Sequence, residues 1–129
     1  MTFAPCLSVK DTSASLDFYK TLGFEFDSST SHPGDDIHMM FYDGQFCAMI
    51  YLNDDLKTWL PVLADTPIGC AGMYYLGVDD LEATFAHISK HAEIVKPITK
   101  EPNNGQTMFY FRDLDGYVIG VNQNQPAPN

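Results

Sequence analysis

Basic charge is scarce in this sequence: 7 Lys and Arg stand against 17 Asp and Glu, a formal net charge of −10. Phosphate backbones would be repelled by such a surface, which argues against a nucleic-acid partner. The acidity is compatible with a cationic small ligand, and equally with a charge that only keeps the chain soluble. Cysteine is also scarce. Cys6, Cys47 and Cys70 form an odd count without motif spacing, so a disulfide framework is not expected. No apolar run approaches a membrane span, and the start of the chain lacks the basic, apolar, small-residue layout of a signal peptide. The expectation is a cytoplasmic protein with no membrane partner. What is present is 129 residues with 45% apolar content, enough for one domain with a core and too apolar for disorder as the default.

The most organised stretch lies near the end. Met108 to Arg112 and Tyr117 to Asn122 read as two strands around Asp115-Gly116, a pair suited to a tight hairpin because Gly accepts positive φ. Earlier in the chain, Pro5 to Val9 reads as a strand, and Asp11-Thr12-Ser13 offers helix caps. Ala14, Phe18 and Leu22, with Tyr19 beside them, set an apolar helix face that Gly23 closes. Strands follow at 24–28, 37–42 and 45–52, the last two joined at Asp43-Gly44, with a polar turn at 29–36. Asp54-Asp55 is expected to cap a short helix carrying Leu56, Trp59 and Leu60, limited by Pro61.

A second half then begins. Cys70 to Val78 is strand-like, and Asp79-Asp80 caps a helix presenting Leu81, Phe85, Ile88 and Ala92. A short strand at 93–95 precedes Pro97, a polar loop runs over 99–106, and the tail from Gln123 is expected to fray. The halves repeat. Leu7-x-Val9-x-Asp11-x-x-Ala14 matches Leu76-x-Val78-x-Asp80-x-x-Ala83 at an offset of 69 (Leu7 to Leu76), and Asp43-Gly44 matches Asp115-Gly116. Each half reads strand, helix, three strands. One such unit leaves a sheet face uncovered, so two copies suit one compact fold.

The duplicated βαβββ pattern, the run Val9-x-Asp11-x-x-x-Ser15-Leu16-x-Phe18-Tyr19-x-x-Leu22-Gly23-Phe24 and the closing Phe111-x-Asp113-x-Asp115-Gly116-Tyr117 resemble the vicinal oxygen chelate superfamily. That superfamily includes glyoxalase I, extradiol dioxygenases, fosfomycin-resistance thiol transferases and bleomycin-resistance proteins. The resemblance spans about residues 3–123, and Leu114 departs from the family's usual Pro in the Asp-Pro-Asp-Gly turn. It implies an α+β fold in which two βαβββ modules, about 3–60 and 70–123, form a curved, partly open mixed sheet around a pocket. The helices lie outside, residues 1–129 make a single domain, and 124–129 form a tail. It also implies pairing into a homodimer.

The resemblance implies metal-ligand positions too. They fall on Ala4, Met73, Gly120 and a place near Ala48. None carries a side-chain donor for a hard divalent ion, and positions 3–6, 72–75 and 118–122 contain no His, Glu or Asp. No metal and no cofactor are therefore expected, which argues against a metalloenzyme. Elsewhere, His87 and His91 have a chelating i, i+4 spacing but no evident third ligand, so a solvated helix face is the expectation. His32 and His38 read as exposed or hydrogen-bonded residues.

Strand side chains alternate between faces. If the former metal positions face the pocket, so do Cys6 and Ser8, together with Phe46, Ala48 and Ile50. On the second module the same logic selects Met73 and Tyr75, then Val118, Gly120 and Asn122. The resemblance adds Met108, Tyr110 and Arg112. Trp59 either covers the mouth or anchors core. Cys6 reads as an unreactive thiol more readily than as a nucleophile. An apolar and aromatic lining of this kind suits a flat organic ligand oriented by a few hydrogen bonds. The expected function is metal-independent binding and sequestration of an aromatic compound, a cationic one being compatible with the charge, as in bleomycin-resistance proteins. The rivals are a glyoxalase-like lyase, isomerase or other enzyme working through Tyr75, Tyr110 or Arg112, and a module that binds a peptide in its groove.

Overall fold

The computed structural model describes residues 4–69, 73–102 and 105–124. The expected strand start at Cys70, the Asn103-Asn104 pair and the last five residues of the tail lie outside them. The chain divides after Gly69 into two compact units. The first contains β1 (Cys6–Val9), α1 (Thr12–Thr21), β2 (Glu25–Asp27), β3 (Ile37–Tyr42) and β4 (Gln45–Leu52), then α2 (Asn53–Trp59) and a 3-10 turn at Pro61–Leu63. The second contains β5 (Met73–Val78), α3 (Leu81–Ile88), β6 (Glu93–Lys100), β7 (Thr107–Arg112) and β8 (Val118–Gln123). The fold is α+β. The sheets run β1-β4-β3-β2 and β5-β8-β7-β6. In each, the first and last strands of the unit pair in parallel and the other neighbours are antiparallel.

The repeat in the sequence is a repeat in local chemistry. Asp11 and Asp80 are extended residues at the starts of α1 and α3, and their Oδ1 atoms accept from Ala14 N–H and Ala83 N–H, each at 3.0 Å. A side-chain oxygen placed there satisfies a first-turn donor that the helix cannot. Both hairpin turns use Asp-Gly. Asp43 and Gly44 have φ of 51° and 75°, the paired positive values that a two-residue connection matches to the twist of its strands. At the second turn, the buried Asp113 carboxylate accepts from Asp115 N–H (3.0 Å) and Tyr117 N–H (2.9 Å). That accounts for an acidic side chain in the interior, since a buried carboxylate must be hydrogen-bonded.

Several expectations change, among them the reach of α3, which ends at Ile88 and leaves Ala92 outside the helix. The buried stripe of α1 is Ser15, Leu16, Tyr19 and Leu22, while Ala14 is exposed and Phe18 half-buried. Tyr19 sets this rotation: its ring packs edge-on against Phe24 at 5.2 Å, and such contacts add to the free energy of burial. Asp54 and Asp55 lie inside the first turn of α2, whose cap position is Leu52, without a side-chain cap; Asp55 instead accepts from the Asp36 N–H at 3.0 Å. The strand expected to stop before Pro97 continues as β6 to Lys100. It is the edge strand, and its pairing with β7 slips between Ile94 and Lys96 and again between Lys96 and Thr99. Edge bulges tolerate a residue that cannot donate to the ladder. Fraying does not begin at Gln123. Its Oε1 accepts from Leu81 N–H at 2.9 Å, its Nε2 donates to the Asp79 carbonyl, and Asn124 N–H reaches the Val78 carbonyl at 2.7 Å.

Candidate functional site

Residues opposite one another in a ladder point to the same side of the sheet. In the second unit, Tyr110 and Tyr75 both pair with Gly120, Met108 pairs with Asn122, and Met73 and Arg112 pair with Val118. These side chains share one face. Phe109, Phe111, Ile119 and Val121 occupy the other and are buried, with Phe85 of α3 edge-on to Phe109 at 5.1 Å. A helix thus covers one face with a close-packed core, and the second face carries the aromatic and polar groups.

Gly120 is the floor of that second face. A Cβ placed there would lie 2.7 Å from Met73 Cε and 3.1 Å from both Met108 Cε and Tyr110 Cε1. Three side chains therefore converge on the space that glycine leaves. Two are thioethers, whose flexible ends repack around foreign shapes. Met108 is fully buried, whereas Tyr75 is 68% and Met73 36% exposed. The Tyr110 hydroxyl donates to Met108 Sδ at 3.7 Å. Lys96 Nζ lies 5.9 Å from the centre of the Tyr110 ring and 2.9 Å from Glu101 Oε1. Arg112 Nε stands 3.6 Å from Glu93 Oε2. Burial first, and then the Glu101 charge, push the Tyr110 phenol above its usual range. It is a hydrogen-bond donor at neutral pH and a poor base.

The first unit treats its sheet differently. Cys6 pairs with Met49 and Leu7 with Ile50, so Cys6, Met49 and, across β3, Met39 share one face. Leu7, Ile50, Ala48, Met40 and His38 share the other, and all five are buried. The expectation that Phe46, Ala48 and Ile50 line one face with Cys6 is corrected for two of the three. The pairing goes from Met40–Ala48 directly to Phe41–Phe46. Cys47 is the extra residue of a bulge, and a bulge resets the alternation. Phe46 lies on the open face beside Phe41, ring centres 5.8 Å apart, while Ala48 and Ile50 are core. The counterpart of Gly120 is accordingly Met49, since Cys6–Met49 repeats Tyr75–Gly120. Burial pushes the Cys47 thiol up to about 11 and also raises that of Cys6, so neither is a thiolate at neutral pH. Trp59 is 59% exposed; its Nε1 donates to the Tyr51 hydroxyl at 2.9 Å, which in turn donates to Asp35.

A polar network that the sequence reading passed over surrounds His38. Its Nε2 is 2.6 Å from Asp36 Oδ1 and its Nδ1 is 2.6 Å from Ser28 Oγ. Thr12 and Ser31 also donate to Asp36. The available signal was Asp36-x-His38 at the start of an alternating strand, two residues apart and hence on one side. Two clefts are present near sheet ends. One of about 540 Å³ is lined by Leu81, Glu82, Gln106 and Asn122 among others, and one of about 420 Å³ by Ser31, His32, Asp36 and Asp55 among others. Of the sequence-selected residues, Asn122 alone lines either of these two clefts.

The positions implied for a metal hold Ala4, Met73 and Gly120, and in the first unit Met49 takes the place assigned to Ala48. These offer two thioethers and no nitrogen or oxygen side-chain donor, a set that does not fit a hard divalent ion. Among the described residues no group of three or more His, Cys, Asp or Glu is arranged to hold a metal. None of the described helices is long and apolar enough to cross a membrane.

Comparison with known proteins agrees with this architecture. A hypothetical protein from S. aureus superposes with a TM-score of 0.78 at 22% identity, over 96% of this chain and 94% of that one. A member of the glyoxalase/bleomycin resistance protein/dioxygenase superfamily from Sphaerobacter thermophilus gives 0.70 at 22%, over 96% and 98%. A bleomycin-binding protein complexed with bleomycin gives 0.69 at 16%, over 97% and 99%. Identities this low carry the shared fold and nothing finer. No curated protein matches the sequence. Residues 3–121 match the family described as the Glyoxalase/Bleomycin resistance protein/Dioxygenase superfamily. With that match running through both βαβββ units, the chain belongs to the glyoxalase/bleomycin resistance protein/dioxygenase superfamily.

Proposed function

We propose that this chain is a metal-independent binding protein that sequesters an aromatic, cationic small molecule, and that the open face of its second sheet is the binding surface. The observation that carries the reading is the convergence of Met73, Met108 and Tyr110 over Gly120, with Tyr75 exposed beside them. Deformable thioethers and two aromatic rings on one face suit a planar ligand. A net charge of −10 favours a cation in the encounter. A protein of this fold complexed with bleomycin is the precedent for such a ligand. The raised Tyr110 phenol supports hydrogen-bond donation over proton abstraction. We read residues 1–129 as one functional domain, cytoplasmic and homodimeric; two sheets with open edges favour pairing between copies.

The test is a titration with bleomycin and with planar aromatic cations, followed by product analysis, on the native protein, Tyr110→Ala and Tyr110→Phe. A ring contact contributes about 0.5–1.5 kcal/mol beyond its buried area. Tyr110→Ala is therefore expected to weaken binding roughly tenfold or more, each tenfold being about 1.4 kcal/mol, and Tyr110→Phe less. Ligand should return unchanged. Product beyond one equivalent of protein, abolished in Tyr110→Phe with affinity intact, would establish the enzyme reading instead. Light scattering that gives a monomer at micromolar concentration would remove the dimer.

A further inference from the structure

The first unit contains a serine, a histidine and an aspartate joined in the order that activates a hydroxyl. We propose that Ser28 is a nucleophile activated by His38 and Asp36, and that it accepts acyl groups from small activated esters. Ser28 follows β2 and is exposed, while His38 lies in β3 with its ring buried. The Asp36 carboxylate can only accept, so the 2.6 Å contact places the imidazole proton on Nε2. In the neutral ring Nδ1 then carries the lone pair, and the Ser28 hydroxyl stands 2.6 Å from it. Nucleophile, base and orienting acid are thereby linked at the distances such arrangements use.

The aspartate is held in place. Burial opposes its ionisation, but hydrogen bonds from Thr12, His38 and Ser31 outweigh that and keep its carboxyl below the ordinary range. Its own N–H is anchored on Asp55 at 3.0 Å. Structural need explains the Asp36 side, because a buried imidazole N–H requires a partner. The buried Nδ1 needs a partner equally, and the one the fold supplies is an exposed hydroxyl within reach of solution, on a turn already fixed by Ser29 N–H on Asp27 Oδ1 (2.9 Å) and Ser31 N–H on the Ser28 carbonyl (3.1 Å).

The step balances without a cofactor. Ser28 Oγ attacks the ester carbonyl as its proton passes to His38 Nδ1, and the imidazolium is stabilised by Asp36. The tetrahedral intermediate collapses, the C–O bond to the leaving group breaks, and the leaving alkoxide or phenolate takes the proton from Nδ1. Water, deprotonated by His38, then releases the carboxylic acid and restores the hydroxyl. The amides of Ser29 and Ser31 are engaged elsewhere, and the exposed position of Ser28 opens the oxyanion to solvent. The serine alkoxide is a poorer leaving group than a phenolate, so deacylation is the slower step and the acyl-serine accumulates.

The experiment exposes the full chain to p-nitrophenyl acetate and locates acetyl groups by peptide mass spectrometry. General-base assistance contributes about 10²–10⁴-fold. Ser28 is therefore expected to acetylate on the order of a hundredfold faster than its neighbour Ser29, with one equivalent of p-nitrophenolate released in a burst. In urea the two serines should react alike. Asp36 acts as a positioning residue, and Asp36→Asn should lower the Ser28-to-Ser29 ratio at least tenfold; His38→Gln should abolish the preference. If either variant fails to fold, the ratio in the native protein and its loss in urea still decide. Equal acetylation of Ser28 and Ser29 in the native protein, or adducts confined to other residues, would overturn the proposal.

Discussion

The two units share a strand order, an aspartate cap and an Asp-Gly hairpin, yet the covered face of the first sheet takes in an imidazole and that of the second takes in none among the described residues. In the first, His38 lies on the covered face and is satisfied by Ser28 and Asp36. In the second, Leu76, Phe109, Phe111, Ile119 and Val121 share the covered face with Tyr74, and Tyr75, Lys96, Tyr110 and Arg112 stand on the open one. The difference teaches that the repeated architecture fixes which face a helix covers and leaves the chemistry of each face free to vary. A buried polar group requires partners wherever it falls; an open face can hold unfilled donors at little cost.

The sharpest break of the comparison is to remove core on each side. Ile50 and Phe109 are fully buried, so Ile50→Ala is expected to cost about 2–5 kcal/mol and Phe109→Ala about 3–5 kcal/mol in urea unfolding. Phe46→Ala and Tyr75→Ala, on the open faces, should cost less than half as much. Were Phe46→Ala as damaging as Ile50→Ala, the bulge at Cys47 would not separate them.

A smaller effect tests what the units hold in common. Asp11→Ala and Asp80→Ala each remove the same cap and should each cost about 1 kcal/mol. A loss in one and none in the other would mean that the repeat is not energetic.

The smallest effect concerns acid. The folded-state pKa of Asp36 is lowered. Its ionised form therefore contributes stability that is fully present above the unfolded value of about 3.9 and is lost as pH falls through the lower folded value. Urea midpoints from about pH 6 down to about pH 2 should show a shallower acid limb in Asp36→Asn than in the native chain. Parallel limbs would remove Asp36 from the acid response.

Much of this was legible in the residues. The βαβββ repeat, both aspartate caps and both Asp-Gly turns follow from spacing and propensity, whereas the facing of β7 and β8 followed from the family resemblance, and the superposed structures share the fold. Ala48 and Ile50 were misplaced because a bulge at Cys47 carries no local signature: Phe46-Cys47-Ala48 alternates as any strand would. The extent of β6 was hidden because Pro97 ends a strand everywhere except at an edge or bulge. Gln123 read as tail because its partners, Leu81 N–H and the Asp79 carbonyl, are more than forty positions away. The His38 network was missed for a similar reason. Only Asp36 is its near neighbour, and Thr12 and Ser28 arrive through the fold.

Binding at the second sheet is tested most directly by the methionine methyl groups. The chain has 6 methionines, among them Met73 and Met108 over Gly120, Met39 and Met49 on the first unit's open face, and Met40 in its core. With the methyls labelled in carbon-13 and the native chain titrated with an aminoacridine cation, the Met73 and Met108 signals should shift saturably. Met40 should stay fixed, and the dye should be recovered unchanged. Saturable binding that leaves Met73 and Met108 unmoved would contradict the assignment of the ligand to this face.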